Sequence, residues 1–127
     1  MRIRPIRPSD AASWESMRRD LWPDGAHEHA AEISAFFAGA IDEPSGVFVA
    51  EESGLLVGVA ELSIRDDIAG LPGKRTGYVE GLYVIPERRG RGIARQLLRA
   101  AKLWARSNQC DAFASDRGDR IIVDRRF

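Results

Sequence analysis

Hydrophobic and polar positions change period several times along the chain, and each change marks an element. The stretch "RIRPIR" at 2–7 alternates and predicts a short edge strand, since its proline cannot donate to a sheet ladder. Ser9 or Asp10 then suits a helix N-cap, and Trp14, Met17, Arg18 and Leu21 follow at helical spacing until Pro23 stops the run. A second helical pattern covers Glu28 to Ile41, with Ile33, Phe36, Phe37 and Ala40 along one side. "GVFVAEE" and "LLVGVAELSIR" flank Ser53-Gly54 and predict an antiparallel hairpin with a tight turn. A glycine-rich stretch, "DDIAGLPGKRTG", reads as a loop before a third central strand, "YVEGLYVI", which Pro86 ends. Ile93, Leu97, Leu98, Ala101 and Trp104 recur at helical intervals as far as Ser107, and "CDAFASD" reads as a short strand. This order predicts an α/β fold, a mixed sheet flanked by helices in one domain.

Size and charge narrow the possibilities. A chain of 127 residues, 44% hydrophobic, supports one core and one domain, 1–127. Lys plus Arg and Asp plus Glu balance at 19 each, so no global field recruits nucleic acid or an anionic membrane. Cys110 is the single cysteine, which excludes an internal disulfide. Charge in "MRIRPIRPSD" and the lack of a long apolar run predict no leader and no membrane span, hence a cytoplasmic chain.

The candidate chemistry concentrates in "VIPERRGRGIARQLL", where an apolar strand passes through a glycine-rich turn into a helix. The first amides of such a helix lack intrahelical acceptors and point outward with the positive dipole end behind them, an arrangement that binds phosphate. Gly90 and Gly92 allow close backbone approach, and Arg88, Arg89, Arg91 and Arg95 add permanent positive charge. The turn lacks a Walker lysine and does not fit the dinucleotide fingerprint, so chemistry alone gives a pyrophosphate cradle or a solvated basic helix start.

Arg89, Gly92 and Ala94 match the signature of the GNAT superfamily of acyl-CoA-dependent N-acyltransferases. More narrowly, "LWP", "SIR", "VEGLYVIP", "RGIARQLL" and "ASD" resemble, in order and spacing, one branch of aminoglycoside 6′-N-acetyltransferases, over Met1 to Asp116. The resemblance implies a sheet whose strand before the turn splays from the next. Backbone groups of Leu82, Tyr83 and Val84 would hold the pantetheine arm of acetyl-CoA in that gap, and the turn from Arg89 through Gly90, Arg91, Gly92, Ile93 and Ala94 to Arg95 would hold its pyrophosphate.

An ammonium must lose a proton before it attacks a thioester, so a base or a water wired to one is needed. Glu80 is the candidate, a carboxylate in an apolar strand with room left by Gly81; a solvated edge glutamate is the plainer alternative. The resemblance places Asp116 against a second ammonium and Trp22 as an aromatic wall of the acceptor pocket, while a capping aspartate and a core tryptophan are the alternatives. Asp66 and Asp67 lie in the expected loop over the acceptor, and aliphatic Ile68 stands where relatives often carry tyrosine. His27 and His29 read as surface histidines and Cys110 as a packing residue; no metal is expected. The expected function is transfer of acetyl from acetyl-CoA to the 6′-amine of an aminoglycoside. Another amine acceptor (a polyamine or a peptide N-terminus) and a coenzyme-binding protein with little turnover remain open. A nucleic-acid module is disfavoured, because the arginines sit in one turn without interleaved aromatics.

Residues 117–127 depart from the family pattern, which continues with a helix and a final strand. "RIIV" predicts one short strand after an Arg117-Gly118-Asp119 turn, and its apolar side predicts a homodimer in which two chains cover each other.

Overall fold

The computed structural model describes residues 1–25, 27–117 and 120–127. Among the described residues six strands form one sheet in chain order: β1 (Arg2–Pro5), β2 (Gly46–Glu52), β3 (Leu55–Ile68), β4 (Leu71–Val84), β5 (Ala112–Arg117) and β6 (Arg120–Val123). Neighbours pair antiparallel except β4 and β5, which run parallel across the helix that connects them. Helices α1 (Ala11–Leu21) and α2 (His29–Phe37) cover one face, and α3 (Ile93–Ser107) covers the other. The sheet is therefore mixed and flanked by helices. Among the described residues no helix is long and apolar enough to cross a membrane.

Each face closes its own core. Ile93, Leu97, Ala101 and Ala105 of α3 pack on Val57, Ala60, Leu62, Val79 and Val84, as the spacing along the helix requires. On the opposite face Trp14, Met17 and Ile33 meet Val47, Val49, Val59 and Tyr83, with Phe36 and Phe37 set edge-on to the Trp14 ring. Arg18 lies in the same stripe and is 3% exposed. Its Nε donates to Glu61 Oε2 at 2.8 Å, and Trp14 Nε1 donates to the same oxygen at 2.8 Å. Burial pushes the Glu61 carboxyl upward, against the pull of Arg18 and Trp14.

The hairpin turn at Ser53-Gly54 has both residues at positive φ, 51° and 81°, matching the two-residue turn expected between β2 and β3. Two expectations are corrected. The second helix stops at Phe37, because Gly39 takes a left-handed φ of 70° where the pattern would have continued to Ile41. The segment 66–77 is a hairpin: β3 runs through Asp66 and Asp67 to Ile68, and β4 starts at Leu71, so Ala69-Gly70 alone makes the turn. Ile68 is buried against Tyr78 and Ala114. "RIIV" forms β6 as expected, with Ile121 and Ile122 40% and 44% exposed; the turn expected before it falls on Gly118 and Asp119, outside the described residues.

Candidate active site

Two departures from a regular ladder build the site. First, β4 pairs with β5 only from Thr76 to Val79, and beyond Val79 the two strands have no register partners in common. Leu82, Tyr83 and Val84 therefore edge an open gap. Second, Glu61 pairs with Gly81 and Leu62 with Val79, so Glu80 is an extra residue in β4, a β-bulge. The bulge turns both Glu80 and Gly81 toward the α1 face: Glu80 meets Ser63 and Arg65, and a Cβ built on Gly81 would lie 2.7 Å from Trp22 Cη2. A side chain at 81 would displace the Trp22 ring, so the room attributed to this glycine is a packing requirement.

The gap opens into a cleft of about 620 Å³ lined by Leu21, Leu82, Tyr83, Val84, Gly92 and Arg95, with Asp20, Arg88, Arg89, Gly90, Ile93 and Ala94 completing its wall. Gly90 and Gly92 have φ of 81° and 82°, and a Cβ on either would meet nothing within 4 Å. The glycines are thus held by backbone conformation and leave open space above them. Gly92 caps α3, and its carbonyl accepts the first i→i−4 bond from the Gln96 amide at 3.1 Å, so the amides of Ile93, Ala94 and Arg95 face the cleft end without helical acceptors.

The arginines of the turn divide. Arg95 lines the cleft, whereas Arg91 is exposed outside its lining. Arg88 pairs with Glu52 at 2.8 Å. Arg89 Nε donates to the Val84 carbonyl at 2.8 Å and its guanidinium lies 5.4 Å from the Tyr83 ring. Arg89 thus braces the turn against the strand end, and of the backbone groups of Leu82 to Val84 expected to hold the coenzyme arm, the Val84 carbonyl already accepts from it. Tyr83 donates its hydroxyl to Asp20 at 3.0 Å, tying the end of α1 to β4.

A second cleft of about 380 Å³ brings together Trp22, Glu80 and Asp116, the three acceptor-side residues expected from three separate segments, with Leu98, Ser115 and Ile122 nearby. It shares Leu21 and Leu82 with the larger cleft. Beyond Trp22 and Glu80 it continues into a depression lined by Arg18, His27, Glu32, Glu43 and Glu61. Trp22 is clamped, with His27 stacked at 4.9 Å on its ring and Arg18 at 5.1 Å. His29 is 9% exposed and its Nε2 lies 3.2 Å from the Trp22 carbonyl oxygen. Of the two histidines expected at the surface, His27 therefore lines the depression and His29 is buried behind Trp22, because the chain after α1 folds back over the tryptophan.

Glu80 is not a free carboxylate. Arg65 holds it with two donors, Nε to Oε2 at 2.8 Å and Nη2 to Oε1 at 2.7 Å, and the Ser63 hydroxyl also donates to Oε2. The same guanidinium stacks 4.1 Å from the Tyr78 ring, and the Tyr78 hydroxyl donates to Asp116 Oδ2 at 3.0 Å. Burial, with Asp116 beside it, pushes the Tyr78 phenol up to about 12. The residues that sequence reasoning left without a role are therefore Ser63, Arg65 and Tyr78. Ser63 and Arg65 alternate with Glu61 on one face of β3, a signal visible in "ELSIR". Cys110 is buried and burial raises its thiol, consistent with packing. Asp66 and Asp67 are exposed on the hairpin and lie outside both clefts.

The model of the acetyltransferase (GNAT) family matches residues 12–120. An aminoglycoside N(6′)-acetyltransferase type 1 of Klebsiella aerogenes is 42% identical over 116 residues, 90% of this chain and 76% of that protein. A protein of the same name from Stenotrophomonas maltophilia is 39% identical, covering 90% and 73%. Among solved structures, AAC(6′)-Iy in complex with the bisubstrate analogue CoA-S-monomethyl-acetylneamine superposes with a TM-score of 0.81 at 30% identity, over 94% of this chain and 80% of that one.

Proposed function

Because this chain belongs to the GNAT acetyltransferase family, we propose that it transfers acetyl from acetyl-CoA to a primary amine of an aminoglycoside, the 6′-amine named for its relatives. The observation that carries this reading is the meeting of the two clefts at Leu21 and Leu82, one ending at a helix N-terminus and the other lined by carboxylates. The amides of Ile93 to Arg95 with the Arg95 side chain suit a pyrophosphate, and the open edge of Leu82 to Val84 suits an extended amide chain. The donor is a thioester, which supplies an acyl carbon ready for attack.

On the acceptor side the Trp22 wall and Asp116 hold a sugar bearing ammonium groups. Glu80 takes the proton of the reacting amine, directly or through a water. The amine nitrogen then bonds to the acyl carbon and the carbon–sulfur bond breaks, while the second proton of that nitrogen passes through Glu80 or its water to solvent, so that a neutral amide is left and coenzyme A leaves as thiolate. A backbone amide in the Leu82 region stabilises the oxyanion that develops at the carbonyl. This chemistry asks for no metal, and the reading places it in the cytoplasm, where acetyl-CoA is available. The free edge of β6, with Ile121 exposed beside it, supports a homodimer in which two such edges meet.

Release of coenzyme A thiol from acetyl-CoA in the presence of aminoglycosides, polyamines and peptides tests the reading. Release with aminoglycosides is expected; release with peptides alone overturns the proposed acceptor.

A further inference from the structure

Glu80 and Asp116 line the same cleft, but their charges are treated differently. The Glu80 charge is met by the Arg65 fork, both of its oxygens accepting at 2.7–2.8 Å. Among the described residues Asp116 accepts from the neutral phenol of Tyr78, which brings no opposite charge. The Tyr78 ring also carries Arg65 at 4.1 Å, so one tyrosine fixes both the cation beside Glu80 and the position of Asp116.

We infer that Arg65 is a positioning residue that sets the charge state of the bound acceptor. By pairing with Glu80 it makes the reacting amine's position electrically neutral, so that this amine binds in its uncharged, nucleophilic form. Asp116 and Glu43 are left to face the acceptor's other ammonium groups. The inference rests on the amine-acetylation reading above.

The proton balance follows. As the acceptor binds, the reacting ammonium passes its proton through Glu80 or its water to solvent, and the Glu80–Arg65 ion pair is kept. The nitrogen lone pair is then free to attack. Other charged groups facing this region are Arg18 on α1, His27 before α2, Glu32 on α2, Glu43 before β2 and Glu61 on β3. Arg18 is bonded to Glu61 at 2.8 Å and to Glu32 at 3.2 Å, so its charge is spent within the wall. Among the described residues Arg65 is the cation that contacts Glu80.

Titration calorimetry with neamine, in two buffers of different ionisation heat, counts the protons released on binding without requiring turnover. The wild type is expected to release protons at pH 7, and Arg65→Gln to release fewer while binding neamine at least as tightly. The acid limb of the turnover profile is expected to move up by about one pH unit in Arg65→Gln. Arg65→Lys, which keeps the charge and loses the fork, is expected to keep the wild-type proton release and profile while its acceptor KM rises. Weaker acceptor binding by Arg65→Gln with proton release and profile unmoved overturns the inference and leaves Arg65 a packing residue. A wild-type protein that neither binds neamine nor releases thiol overturns the amine-acetylation reading and this inference with it; one that turns over while Arg65→Gln leaves the profile in place overturns the inference alone.

Discussion

Glu80 shows how a residue's neighbours decide its chemistry. A carboxylate tied by two arginine donors and a serine hydroxyl is oriented, and its geometry does not depend on a ligand arriving. Glu80→Gln keeps the shape and removes the charge and the proton acceptor, so turnover is expected to fall by about 10²-fold or more. Acetyl-CoA affinity, measured by direct titration, should stay within about twofold because the coenzyme's cleft does not include position 80. Unchanged turnover would remove Glu80 from the mechanism. Trp22, Glu80 and Asp116 were each readable as candidates from family-like segments, and the fold brings them to one cleft. Arg65 was not readable in the same way: "SIR" carried the resemblance, but an arginine on a strand becomes informative only once its cross-strand partner is known. Arg18 offered a sharper signal, a charge inside the apolar stripe of a helix, which implies a buried counter-charge that sequence cannot locate.

Helices and turns were the most legible elements, because their period and punctuation are local. The hairpin at Ser53-Gly54, the start of α3 at Ile93 and its end at Ser107 stand where the pattern places them. The bulge at Glu80 and the parting of β4 from β5 were illegible from the residues, since both are properties of pairing between strands distant in sequence. The 66–77 hairpin was hidden by its glycines, which mark turns but also occur within paired strands. At the start of α3, Gly92→Asp puts a Cβ on a residue with φ of 82° and a negative charge at the helix N-terminus. Acetyl-CoA binding is expected to weaken by at least tenfold in calorimetric titration, with the fold retained by circular dichroism. A second element-scale prediction concerns the entry to α1, where Asp10 accepts from Arg4 at 2.8 and 3.0 Å and from the Arg7 amide at 2.8 Å. The Arg4 guanidinium holds the Asp10 carboxyl below its ordinary value of 3.8. A carboxyl depressed in the folded state adds stability above its ordinary pKa and loses it as pH falls through the depressed value. Asp10→Asn should therefore cost about 3 kcal/mol at neutral pH in urea unfolding, and the difference should shrink progressively below pH 4. A cost that stays constant into strong acid would show that the charge of Asp10 is not what binds β1 to α1.

At the scale of the whole molecule, β1 and β6 are the two edges of the sheet, and they are defended differently. β1 carries arginines and a proline, whereas β6 presents Ile121 to solvent and Ile122 to the rim of the acceptor cleft. Sedimentation velocity at several concentrations is expected to show a dimer that Ile121→Lys weakens at least tenfold; a clean monomer throughout would overturn the homodimer. The two clefts carry a different consequence. They have separate linings that touch only at Leu21 and Leu82, so donor and acceptor have room to reside on the protein together and to exchange the acyl group across that boundary. Cys110, the single thiol, is buried outside both linings, where it could not shuttle the group between them. Initial velocities measured against both substrates should accordingly give double-reciprocal lines that intersect rather than run parallel. Each substrate's saturation would report on whether the other is in place, and a molecule tethering the two chemistries through Leu21 and Leu82 would gain from a linker no longer than that boundary is wide.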